Sequence, residues 1–152
     1  MRRAAIDIGS HSILLLVADV SNGTIYPIHE GVYSPRLASG LSSTGRLDKK
    51  SMETARQHLG QALEICDHYK VADVKAVATA AVRDASNGGE FVDWIHDLLD
   101  LDIRIIDGDE EARLTYYGAV SGLDAKGNIA VLDVGGGSTE CVTGNMGTGS
   151  GK

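Results

Sequence analysis

The chain has 152 residues, 43% of them apolar and 23% charged, with a formal net charge of −7. That length fits one domain with at most the start of another, and a chain of this size buries about 68 to 70% of its unfolded surface, so a core forms without disulfide or metal staples. The acidic balance argues against nucleic acid or an anionic membrane as partner, because both require a basic face. Any anionic ligand must therefore be held by local geometry. Cys66 and Cys141 lie far apart, with no spacing that would suit a zinc site or a disulfide framework. The apolar run Ile13 to Ala18 is too short for a signal peptide or a membrane span, and the expected compartment is the reducing cytoplasm.

In chain order, Ala4 to Ile8 and Ile13 to Val20 read as strands separated by the cluster Gly9-Ser10-His11-Ser12. Asn22-Gly23 before Thr24-Ile25-Tyr26 is a hairpin signal, so three strands open the chain. Tyr33 to Arg46 has no period and reads as a loop. Asp48 or Ser51 caps a helix whose Met52, Ala55, Leu59, Ala62, Leu63, Ile65 and Cys66 return at helical spacing to about Tyr69. Val74 to Val82 reads as a strand covered on both faces and ending at Arg83-Asp84. Asn87 caps a helix carrying Phe91, Trp94, Ile95, Leu98 and Leu99, and Ile103 to Ile106 is a short strand. Asp109-Glu110-Glu111 opens a further helix that Gly122 closes, its acids placed where the helix dipole favours them. Ile129 to Val134 is the last clear strand before Gly135-Gly136-Gly137. The order βββ-αβ-αβ-α-β predicts an α/β fold, a mixed sheet with helices on its faces.

One internal echo carries chemistry. Asp7-Ile8-Gly9-Ser10-His11-Ser12 is repeated in outline by Asp133-Val134-Gly135-Gly136-Gly137-Ser138-Thr139-Glu140: a buried strand delivers Asp-aliphatic-Gly, then hydroxyl residues, then another strand. Glycine turns expose backbone N–H groups that can surround phosphate oxygens, the hydroxyls of Ser10, Ser12, Ser138 and Thr139 add donors, and Asp7 or Asp133 can hold hydrated magnesium. One such turn is usually an ordinary hairpin; two together point to a phosphate site. Arg83 falls where the carboxyl edge of an open α/β sheet carries its ligand, and it suits either phosphate recognition or a surface ion pair. From the residues alone, Glu110 and Glu111 read as solvated capping charge. The scattered histidines form no metal cluster. The tail Gly147 to Lys152 fails as a P-loop and reads as a flexible end.

DIGSHS at 7–12, ATAAVRDA at 78–85, NGGEF at 87–91, IDGDEEARLTYYGAV at 106–120 and LDVGGGSTE at 132–140 together resemble the exopolyphosphatase and guanosine pentaphosphate phosphatase family. The resemblance spans Ile6 to about Thr143. It implies a ribonuclease-H-like, actin-like ATPase fold with the active site in the cleft between two such domains. It also implies hydrolysis of the terminal phosphoanhydride of inorganic polyphosphate or of the 5′ γ-phosphate of guanosine pentaphosphate, with magnesium or another divalent cation. By resemblance, Asp7, Gly9, Ser10, His11 and Ser12 correspond to the first phosphate loop and Gly135, Gly136, Gly137, Ser138 and Thr139 to the second. Arg83 corresponds to the phosphate-contacting arginine and Glu111 to the carboxylate that orients and deprotonates water. Asp133 and Glu140 correspond to the acidic pair near the metal, with Asp7 as a further metal ligand. His11 stands where the family commonly has Asn, and is expected to tune the phosphate contact.

The expected organisation is a first actin-like domain at 1–128, the start of a second at 129–144, and a flexible tail at 145–152. Family members continue through a complete second domain, so this chain is expected to supply one wall of the cleft and, alone, to turn over little. The hairpin at 129–143 is expected to expose an apolar face and to favour a homodimer. The main alternative is a non-catalytic module that senses polyphosphate or guanosine tetraphosphate. An ATP-consuming sugar kinase or chaperone ATPase shares the two Asp-x-Gly loops, but has no counterpart of the EEAR helix and ranks last.

Overall fold

The computed structural model describes residues 1–124, 126–135 and 139–146. Three antiparallel strands open it: β1 (Arg2–Ile8), β2 (Ile13–Ser21) and β3 (Thr24–Tyr33). The β2–β3 turn is the Asn22-Gly23 pair, both at positive φ (52° and 78°), as a twist-matched two-residue hairpin requires. A four-residue helix, α1 (Leu41–Thr44), lies within the segment that reads as loop. The long helix α2 (Lys49–His68) is capped by Asp48 rather than Ser51: its carboxylate accepts from the amides of Lys50 and Ser51.

Strand β4 (Asp73–Ala78) pairs parallel to β1 and is shorter than the sequence suggests. The Thr79 amide donates to the Ile8 carbonyl (3.1 Å), and the chain then turns into α3 (Ala80–Asp84), so Val82 and Arg83 are helical rather than extended. An Ala-Ala-Val-Arg run has no period that separates buried strand from buried helix; the tertiary bond to β1 decides it. Nor is β4 covered on both faces. Ala76 and Ala78 are buried, whereas Lys75 is exposed and Val77 half-buried.

Helix α4 (Gly88–Leu99) leads to the short parallel strand β5 (Ile103–Ile105), then to α5 (Gly108–Val120) and the hairpin of β6 (Gly127–Val134) and β7 (Thr139–Met146). The main sheet has the order β3-β2-β1-β4-β5, and β6 and β7 form a separate two-stranded sheet. Among the described residues no helix is long and apolar enough to cross a membrane.

Side-chain alternation sorts the sheet into two faces. Ala4, Ile6, Ile8, Ile13, Leu15, Val17, Ala76 and Ala78 point to one side and form a single core with Ala55, Leu59 and Ala62 of α2 and Phe91 and Ile95 of α4. Phe91 and Ile95 are fully buried, each stabilising by about 1.5 to 3 kcal/mol. On the other side Ala5, Asp7, Leu14 and Leu16 line an open groove of about 690 Å³ that α5 borders through Leu114.

Asn87 precedes α4 at the capping position, but its side chain caps nothing there. Its Oδ1 accepts from the Leu47 amide (2.8 Å) and its Nδ2 donates to the Leu47 carbonyl (3.1 Å). The buried amide thus reproduces a strand-like pair of bonds, and ties the start of α4 to the segment before α2.

Candidate active site

The parallel strands β1, β4 and β5 all run toward one edge, and each is followed by a segment that carries a candidate group. This is the carboxyl edge, where open α/β sheets bind ligands. β1 delivers Asp7 and the turn 9–12, β4 delivers Arg83 through α3, and β5 delivers Glu111 in the first turn of α5.

The first turn closes on itself through the Gly9 amide, which donates to the Ser12 carbonyl (2.9 Å). A Cβ on Gly9 would sit 3.2 Å from that carbonyl, so glycine suits the close approach. The segment after β3 clamps the turn from outside: the Arg36 amide donates to the His11 carbonyl (3.1 Å) and the Ala38 amide to the Ser10 carbonyl (3.0 Å). The amides of Ser10, His11 and Ser12 donate to no backbone carbonyl among the described residues. Three successive amides without a backbone acceptor among the described residues, held by an external clamp, are the kind of donors from which anion-binding nests are built. A cavity of about 470 Å³, lined by Ser10, Ala38, Ser42, Ala80 and Asp84, opens beside it.

Helix α5 is capped by Asp107, whose carboxylate accepts from the Glu110 amide (2.8 Å). Its two glutamates then diverge. Glu110 faces outward and pairs with Arg104 (2.6 Å). Glu111 turns inward, its side chain only 14% exposed, onto the Arg83 guanidinium (Nη1 to Oε2, 2.8 Å). Neither glutamate is a freely solvated capping charge: Glu110 is 26% exposed and paired with Arg104, and Glu111 is 14% exposed and paired with Arg83. Arg83 is further held by the Ile106 carbonyl (3.1 Å) and by Asp84 against its Nε (3.4 Å), and the carboxylates of Glu111, first, and Asp84 raise its proton affinity. Asp84 is a neighbour of the site that motif reading did not single out.

Asp7 projects from β1 onto the open face and makes no ion pair or hydrogen bond among the described residues. Its pKa is pushed up to about 6, first by partial burial and then by repulsion from Glu111 and Asp133. Asp133, near the end of β6, is half-buried; its described partner is the Thr115 hydroxyl of α5, which donates to Oδ2 (3.4 Å). The three carboxylates thus share one electrostatic neighbourhood, in which Glu111 is paired with Arg83. Thr115 is the second site neighbour that sequence reading missed; its spacing of four from Glu111 was the available signal.

The second loop is reached from both ends. Gly135 follows β6 and Thr139 opens β7, with Asp133 opposite Glu140 in the hairpin register. Gly136, Gly137 and Ser138, the side chain of Glu140, and the tail 147–152 lie outside the described residues. Asp7 and Asp133 fit a hard divalent cation in their chemistry: both offer carboxylate oxygens, and the repulsion that Asp7 feels from Asp133 is what a cation between them would relieve. Among the described residues no three His, Cys, Asp or Glu side chains converge into a complete ligand set. Two carboxylates, with water and substrate oxygens supplying the rest, is the arrangement magnesium commonly accepts.

The raised Asp7 pKa has a testable sign. Between about pH 4 and 6 the folded chain binds this proton and the unfolded chain, at 3.8, releases it, so stability falls as pH rises through that window. Asp7→Asn is expected to flatten this fall and to raise the denaturation midpoint at pH 7 when both proteins are unfolded in urea across that range. An Asn variant with the wild-type pH dependence would assign the effect to other groups.

The fold recurs in solved structures. The Ppx/GppA enzyme of Aquifex aeolicus matches with a TM-score of 0.86 and 37% identity, over 95% of this chain and 48% of that one. An exopolyphosphatase-like protein matches at 0.90 and 32%, over 97% and 46%. An exopolyphosphatase from Cytophaga hutchinsonii matches at 0.89 and 29%, over 95% and 47%. The chain therefore spans about half the length of these relatives. The shared fold is the ribonuclease-H-like, actin-like ATPase type expected from the motifs. Residues 16–150 match the Ppx/GppA phosphatase family, and the chain belongs to that family.

Proposed function

We propose that this chain forms one wall of a phosphohydrolase cleft that removes the terminal phosphate from inorganic polyphosphate or the 5′ terminal phosphate from guanosine pentaphosphate. The observation that carries the reading is the Arg83–Glu111 pair (2.8 Å) at the carboxyl edge, beside a turn with three free amides. In this reading the terminal phosphoryl group sits on the amides of Ser10 to Ser12 and on the second loop, from Gly135 to Thr139, with the hydroxyls of Ser10, Ser12, Ser138 and Thr139 as added donors. Arg83 turns part of its five-donor fork to the phosphate oxygens, while the Ile106 carbonyl and Asp84 keep the guanidinium in place.

Glu111, released from part of its counter-charge, accepts a hydrogen bond from the attacking water. The water oxygen bonds to the terminal phosphorus as the bond to the bridging oxygen breaks, and the water proton passes to Glu111. Products are orthophosphate and a substrate shorter by one phosphate. Asp7 and Asp133, with Glu140, would hold a divalent cation, which neutralises phosphate charge and the leaving oxygen when bound. Positioning and charge neutralisation are the larger part of such chemistry, and these residues provide both.

The β6–β7 hairpin, a sheet separate from the main one, is read here as the opening of the second wall. The test is orthophosphate release from polyphosphate and from guanosine pentaphosphate with magnesium, by this chain and by its fusion to the remaining half of the Aquifex aeolicus relative. Release by the fusion well above that of the chain alone is expected. Folded protein that binds either compound while the fusion stays inactive would replace catalysis by a sensing role.

A further inference from the structure

Helix α5 is fastened to the β6–β7 hairpin by two consecutive side chains. The Tyr116 ring packs over Gly144 of β7 so closely that a Cβ there would collide with it. Thr115 reaches the other strand, its hydroxyl donating to Asp133 Oδ2 at 3.4 Å. Threonine inside a helix ordinarily returns its hydroxyl to the carbonyl four residues back, and Thr54 of α2 does so with Lys50 (2.9 Å). Thr115 is not bonded in that way. Its hydroxyl is spent on the carboxylate instead, and lies one helical turn from Glu111 on the same face of α5.

We propose that Thr115 is a positioning residue that orients the Asp133 carboxylate, so that one helix carries Glu111 and also steers an aspartate that would hold the cation. The inference rests on the reading of Asp7 and Asp133 as cation ligands. A hydroxyl turned to Oδ2 leaves Oδ1 without a described protein partner and therefore available to a cation. At 3.4 Å the bond is long for a hydroxyl on a carboxylate, so the carboxylate has room to shift when a cation arrives and the bond to tighten. Hydrogen bonds of this kind behind a metal ligand commonly carry about 10- to 100-fold in metal affinity.

The test is calorimetric titration of manganese into the protein and its Thr115→Val, Thr115→Ala, Thr115→Ser and Asp133→Asn variants, each checked for folding by circular dichroism. Thr115→Val is expected to weaken manganese binding about 10- to 100-fold, with Thr115→Ser close to wild type, because only the hydroxyl matters. Thr115→Ala, which removes the hydroxyl and the β-branch together, should show the same loss and serves where the valine variant does not fold. Wild-type affinity in both Val and Ala variants would overturn the role of Thr115 alone, provided Asp133→Asn still loses binding. Wild-type affinity in Asp133→Asn, or no binding by the wild type, would overturn the cation reading of Asp133 and this inference with it.

Discussion

Glu111→Gln is expected to lower kcat for orthophosphate release by about 10²- to 10⁴-fold, the usual contribution of a positioned general base, in the fusion that supplies both walls of the cleft. The substitution keeps side-chain length and one oxygen that can still accept from Arg83, so the site should not collapse. Arg83 retains the Ile106 carbonyl at 3.1 Å and Asp84 at 3.4 Å, which hold it without Glu111. What is lost is the ability to take a proton from water. KM should therefore change little while kcat falls, the signature of an interaction made in the transition state rather than in substrate binding. Glu110→Gln is the internal control. Glu110 is the adjacent carboxylate, but it faces Arg104 on the surface and should leave the rate unchanged. A Glu111→Gln protein with undiminished kcat would remove Glu111 from the chemistry and transfer water activation to another group.

The contrast between these two glutamates shows where sequence reading succeeds and where it stops. Glu110 and Glu111 occupy the same helix start and carry the same charge, and nothing local distinguishes them. The difference is Arg83, 28 positions away, delivered by a different strand. The strand periods, the Asn22-Gly23 turn and a helix cap at Asp48 or Ser51 were legible because each is a local preference expressed within a few residues; the structure decides for Asp48. The Asp-x-Gly echo was legible as well, since it lies in the chain itself. Arg83 was placed at the right edge of the sheet but on the wrong element, because the run from Val74 to Val82 carries no turn or breaker signal and the Thr79–Ile8 bond marks where the strand ends. Asn87 was placed correctly as the residue before a helix, yet its amide serves Leu47, 40 positions earlier. The Thr115–Asp133 contact joins a helix to a strand and depends wholly on how the hairpin docks.

The same long-range logic makes Gly88→Ala the substitution with the largest expected structural effect. A methyl group at Gly88 would run into the Val82 carbonyl, a backbone atom of α3 that no rotamer change can move aside. Gly88 is not at positive φ, so the demand for glycine here is steric closeness between the end of α3 and the start of α4 rather than backbone conformation. Forcing an extra carbon into a buried contact costs about 1 to 3 kcal/mol, and here, where a backbone atom must move, the upper end of about 3 kcal/mol applies; at about 2 to 4 °C per kcal/mol for a chain near this size the melting temperature should fall by roughly 6 to 12 °C. Gly89→Ala, one position later, meets nothing within 4 Å and should be neutral or slightly stabilising, since alanine is the better helix former. The consequence for function follows from what α3 carries. Relief of the clash must displace Val82, and Arg83 is its neighbour, so the Arg83–Glu111 pair should loosen even in molecules that remain folded. Thermal melts of the two alanine variants, with orthophosphate release by the corresponding fusions measured well below the lower transition, separate these effects. Gly88→Ala should lose activity beyond its loss of folded protein, and Gly89→Ala should lose neither. Equal melting temperatures for the two variants would show that α3 and α4 can part without cost, and that Arg83 is not held in place by the contact at Gly88.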